Sequence, residues 1–122
     1  MNEVQTCALP IYGTTYGDTA CALNPLGNLY KTDVFALARH LGISEEILNK
    51  KPSAELFAGQ EDEKELGYSY ALMDSAMVQM FDKGLSKEQL LEAGFEKELI
   101  EFIQNRFEKN RFKGELPLIA TI

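Results

Sequence analysis

Helix-stopping residues recur from Lys31 onward, and their spacing limits this chain more than any other feature. Gly42, Pro52, Gly67, Gly84 and Gly94 leave room only for short helices between them. "KTDVFALARHLG" sets Val34, Leu37, Ala38 and Leu41 at helical spacing, with Thr32 as the expected N-cap and Gly42 just past the end. Ser44 can cap a short helix through "EEILNK", which Pro52 stops soon after its last turn. "KPSAELFAGQEDEKELG", rich in charge and glycine, reads as a loop holding one helical turn. "SYALMDSAMVQMFDKG" then stacks Leu72, Met73, Ala76, Met77, Met80 and Phe81 on one side and closes at Gly84; its methionines read as core packing. Ser86 and Gln89 form a capping box for a short helix ending near Gly94. A last helix, about 96 to 110, carries Leu99, Ile100, Phe102, Ile103 and Phe107, and the apolar tail "LPLIATI" is expected to pack.

The chain has 122 residues, 45% of them hydrophobic, enough for one domain with a real core. Its formal charge of −7 disfavours nucleic acid, where affinity comes from Lys and Arg neutralising phosphates. It leaves room for a small phosphate ligand, which needs only a few well-placed cations. Nothing approaches the run of about 18 apolar residues that a membrane span requires. Cys7 and Cys21 make no metal-type spacing, and two free thiols suit a reducing, cytoplasmic setting.

Few residues suggest chemistry by themselves. His40, in the last turn of its helix, lacks partners at triad spacing and reads as structural. The "EDEKEL" run reads as a solvated face or a dipole partner, with no general acid in it. The stretch "YGTTYGDTACALNPLGNLYK" is punctuated by glycine and runs into a helix start, as backbones do where they approach phosphates. Lys31 stands at that helix mouth, where its ammonium and free backbone N–H groups could face one anion. Ser53 follows Pro52 on a stiffened loop, and Lys113 emerges between Phe112 and Gly114 beyond the last helix.

Taken together, "YGDTACALNPLGNLYKTDVFALARHLG", "KPSAELFAGQEDEKELGYSY" and "NRFKGELP" resemble, in the same order, the C-terminal half of the ammonia-dependent NAD synthetases. The resemblance runs from about Tyr12 to the end. It implies an α/β fold: the C-terminal, mostly helical portion of an adenine nucleotide alpha hydrolase-like (Rossmann-like) parallel-sheet domain, paired as a homodimer in the full-length enzyme. The activity implied is ATP-dependent amidation of deamido-NAD with ammonia, giving NAD, AMP and pyrophosphate, with Mg2+ assisting. By position, Lys31 and Ser53 match family residues that contact ATP. Lys113 matches the second member of a His-Lys pair that holds deamido-NAD. This chain departs from the pattern at Phe112, where the family has that histidine. It departs also at Thr15 and Ala22, where many members carry Lys and Asp that touch the dinucleotide.

The family's pyrophosphate loop, Ser-Gly-Gly-x-Asp-Ser, does not occur in this sequence, and its magnesium-binding glutamate belongs just before Tyr12, where "VQTCALPI" stands. The resemblance therefore implies no catalytic residue and no metal ligand here, no activity for the chain alone, and open sheet edges that favour aggregation. Val4 to Ile11 can be encoded GTT CAG ACG TGT GCT CTT CCG ATC, a common sequencing-adaptor end. Residues 1–11 are accordingly expected to be non-native, with 12–122 the C-terminal portion of the synthetase domain. Two other readings stand beside this one. "LSKEQLLEAGFEKELIEFIQNRF" could be the helix pair of a small acidic protein-interaction module. The chain could also be the synthetase portion of a glutamine-dependent enzyme, although "ELGYSY" and "FKGELP" look more like the ammonia-dependent kind.

Overall fold

The computed structural model describes residues 22–53 and 57–114. Among them the secondary structure is helical, with no strand: α1 (Lys31–His40), α2 (Glu45–Leu48), α3 (Asp62–Leu66), α4 (Tyr70–Met77), a π-helical turn (Val78–Asp82), α5 (Lys87–Glu92), α6 (Lys97–Asn110) and a 3₁₀ turn (Arg111–Gly114). The helical expectation holds, and a parallel sheet is not part of the described residues. The opening run with its adaptor-like segment, Thr15, both cysteines and the tail from residue 115 lie outside them.

Local sequence explains where several helices stop and start. Gly42 (φ 73°) ends α1 in a left-handed turn that few residues other than glycine adopt readily. There the Ile43 N–H donates to Ala38 O and the Gly42 N–H to Arg39 O, the paired bonds that close a Schellman motif. Gly94 ends α5 the same way, through Phe95 N–H to Leu90 O and Gly94 N–H to Leu91 O. The capping box opening α5 is present as expected: the Gln89 N–H donates to Ser86 Oγ at 3.3 Å, and the Ser86 N–H to Gln89 Oε1 at 2.8 Å. Ser44 sits at the N-cap of α2 but makes no side-chain capping bond.

The core lies where α4 meets α6. Met73, Ala76 and Met77 share the inner face of α4 and pack with Leu99 and Ile103 of α6, with Tyr30 and Leu66 closing the cluster. The two core methionines therefore fill space, as their spacing predicts. Leu72, read as part of that stripe, is on the outside instead. The expected helix through Gly84 also changes character at Val78: the Lys83 N–H reaches back five residues to Val78 O at 3.1 Å. Within that wider turn the Phe81 ring meets Phe107 at 4.9 Å, a long-range contact that local periodicity does not register. The Lys87–Glu101 ion pair, at 2.7 Å, adds a polar tie between α5 and α6.

Helix α1 differs most from expectation. Thr32 is not its cap, since the helix begins at Lys31 with Tyr30 flanking it. Two carboxylates satisfy its first N–H groups: Asp33 Oδ2 accepts from the Tyr30 N–H at 3.1 Å, and Asp74 Oδ2, from α4, accepts from the Thr32 N–H at 2.8 Å. No residue of α1 is buried, and Leu41 is 67% exposed. The apolar stripe exists in the sequence, but little of it is covered among the described residues.

Candidate functional site

The site is assembled at the first turn of α1. The Asn24–Gly27 turn closes through the Gly27 N–H to Asn24 O at 3.2 Å and the Leu26 N–H to Asn24 Oδ1 at 3.3 Å. It leads the chain to Tyr30, which is buried and whose hydroxyl donates to Asp82 Oδ1 at 3.3 Å. With Tyr30 anchored, Lys31 is set in place. Its ammonium lies 5.8 Å from the centre of the Phe35 ring and 5.7 Å from that of Tyr70, within the range where ring faces attract cations. Among the described residues Lys31 forms no ion pair. A cation held this way keeps its N–H donors available for an anion.

The expectation that free N–H groups of α1 share an anion with Lys31 needs a correction. The Tyr30 and Thr32 N–H groups are already occupied by Asp33 and Asp74. Asp74 is only 3% exposed, and its second oxygen, Oδ1, has no partner among the described residues. Burial pushes its carboxyl above the ordinary aspartate range and Asp33 adds to this, while the bonds from Thr32 and the charge of Lys31 pull the other way. The helix mouth thus already carries a built-in carboxylate.

Ser53 lies half-buried at a cavity of about 500 Å³ bordered by Lys50, Lys51, Phe57, Gln60 and Glu61. Lys64 and Lys51, at 2.8 and 2.9 Å, hold the Glu61 carboxyl below the usual carboxylate range. Gln60 is buried and donates its amide to Glu65 at 3.1 Å. The cavity therefore has a largely apolar lining, with both signs of charge at Lys50, Lys51 and Glu61.

Lys31 and Ser53 are joined by a chain of contacts through α3 and α4. Tyr70, whose ring lies under the Lys31 ammonium, donates its hydroxyl to Asp62 Oδ2 at 3.0 Å. The Asp62 N–H donates to Pro52 O at 3.0 Å, directly before Ser53. Lys113 falls in the 3₁₀ turn that follows α6, where Phe112 is exposed. Ala22 is exposed, and so is His40, at the end of α1.

Tyr70, Asp62 and Asp74 carry this geometry, and the sequence reading assigned none of them a role. A signal for two of them was present. Positions 70, 73, 74 and 77 fall on one helical face, so Asp74 occupies an apolar register beside Met73 and Met77. A carboxylate placed there is either paired or functional. Asp62 gave no such signal, because an acidic run normally faces solvent.

Comparison with known proteins agrees with the resemblance. The NAD synthase family model matches residues 6–117. The NH(3)-dependent NAD(+) synthetase of Wolinella succinogenes is 56% identical over 111 residues, which is 91% of this chain and 43% of that protein. Its counterpart in Helicobacter pylori (strain P12) is 50% identical over 113 residues, 89% of this chain and 44% of its own length. In Fusobacterium nucleatum the values are 44% over 111 residues, 91% and 43%. The chain spans less than half the length of the curated relatives it matches. This chain belongs to the NAD synthase family.

Proposed function

We propose that this chain is the nucleotide-facing helical portion of an ammonia-dependent NAD synthetase, a cytoplasmic homodimer when full length. On this reading the helices form one layer of an α/β, adenine nucleotide alpha hydrolase-like domain whose parallel sheet lies outside the described residues. The observation that carries it is the Lys31 ammonium, held over Phe35 and Tyr70 with no ion pair among the described residues.

The reaction is carboxylate activation followed by amidation. A carboxylate oxygen of deamido-NAD attacks the α-phosphorus of ATP, a P–O bond forms, and pyrophosphate leaves. Ammonia then attacks the acyl carbon, AMP departs with the former carboxylate oxygen, and the nitrogen sheds a proton to give the amide. Lys31 meets the triphosphate and offsets charge as it develops. The Ser53 hydroxyl supplies a second polar contact to ATP, and Lys113 contributes to holding deamido-NAD. Among the described residues no group of three or more His, Cys, Asp or Glu side chains could hold a metal ion. On this reading the protein ligands of Mg2+ come from outside the described residues, with substrate phosphates and water completing its shell.

The test is a product balance on the full-length protein carrying this segment, with deamido-NAD labelled with 18O in its carboxylate. The expected outcome is NAD, AMP and pyrophosphate in equal amounts, with label in the AMP phosphate. Formation of ADP, or AMP without label, contradicts the reading.

A further inference from the structure

Asp62 is 7% exposed, and its Oδ1 has no hydrogen-bond partner among the described residues. A carboxylate withdrawn from water with one oxygen unmatched is unfavourable on its own account, so something must hold it there. Its remaining contacts point in two directions. Oδ2 accepts the Tyr70 hydroxyl at 3.0 Å, and the Tyr70 ring lies under the Lys31 ammonium at 5.7 Å. Its backbone N–H donates to Pro52 O at 3.0 Å, one residue before Ser53.

We propose that Asp62 is a positioning residue which, through Tyr70 on one side and Pro52 on the other, fixes the spacing between Lys31 and Ser53 for a nucleoside triphosphate. This rests on the reading that those two residues contact ATP. Joining α3 to α4 does not require the Tyr70–Asp62 bond, because the Tyr70 N–H already donates to Glu63 Oε1 at 2.7 Å. The phenol bond does something different. It sets the tilt of the ring beneath Lys31, and donation to a carboxylate enriches the ring face that attracts the ammonium. Asp62 itself reaches no ligand in this arrangement; it acts through its neighbours.

The experiment uses the full-length protein carrying this segment, with steady-state kinetics in ATP, deamido-NAD and ammonium, and equilibrium dialysis with Mg2+ and ATP. Asp62→Ala is expected to raise KM for ATP by about fivefold or more, with kcat and KM for deamido-NAD held within about threefold. Asp62→Asn keeps an acceptor for the phenol and is expected to recover most of that loss. Tyr70→Phe keeps the ring but removes the bond. It should move KM for ATP in the same direction, and the double variant should be no worse than the poorer single one, since both act along one path. Should Asp62→Ala fail to fold, Tyr70→Phe decides alone. If ATP affinity is unchanged in Tyr70→Phe, or in a folded Asp62→Ala, the residue is only structural and the proposal is overturned. If the wild-type protein forms no AMP and binds no ATP, the functional reading fails first and takes this proposal with it. Failure of the proposal alone leaves AMP formation intact.

Discussion

Asp74 caps a helix to which it does not belong, and that placement makes the stability of the segment pH-sensitive at one position. Its carboxyl is pushed up by burial, so the folded chain holds the proton more tightly than the unfolded chain does. The favourable contribution is therefore complete below the ordinary aspartate value of about 3.9 and is lost as pH rises through the raised value. Asn keeps an oxygen for the Thr32 N–H without the buried charge. Asp74→Asn should gain in melting temperature relative to wild type as pH rises from about 3.5 to 6.5; parallel curves across that range would show that the carboxylate is not titrating there. Glu61, Glu88 and Glu101 have lowered pKa values and act in the opposite direction, but both proteins carry them, so the difference isolates Asp74. At this scale the sequence was legible where a residue acts on its near neighbours, as Ser86 and Gln89 do at the start of α5. It was not legible where the partner is 42 positions away, as Thr32 is from Asp74.

Among the elements, α5 is the one most fully written in its own sequence. Ser86, Gln89 and Gly94 mark its two ends, and Leu90 is its single buried residue. A six-residue helix gains little from propensity, so its cap and that one anchor matter disproportionately. Ser86→Ala should lower the stability of the segment by about 1 kcal/mol, read from the urea midpoint at unchanged slope. No shift in midpoint would mean that packing through Leu90 alone holds α5. The same local logic misplaced the cap of α1 and missed the π-helical turn. Both have tertiary partners that local periodicity does not register, Asp74 in one case and Phe107 in the other. It also overstated the core face of α1, because a stripe at helical spacing records that burial is possible and does not identify the cover.

For the whole molecule, α6 shares its core with α4, through Leu99 and Ile103 against Met73 and Met77, and α5 meets both α6 and the π-helical turn, so the two do not stand as an independent helix pair. That argues against reading them as a separate interaction module. Apolar side chains on α1, α2 and the turn between them, including Leu41, Ile43 and Ile47, remain exposed among the described residues. The helical architecture could be derived from breakers and periodicity. The functional reading could not, because it rests on motif order and on the Tyr70–Asp62 contact, neither of which a helical period records. The proposed function stands or falls on the contact between Lys31 and ATP. The most direct measurement is steady-state kinetics of Lys31→Ala in the full-length protein carrying this segment. The account predicts a KM for ATP raised by about tenfold or more, with a much smaller change for deamido-NAD, as expected for loss of a charged contact to phosphate. An unchanged KM for ATP with unchanged kcat would contradict it.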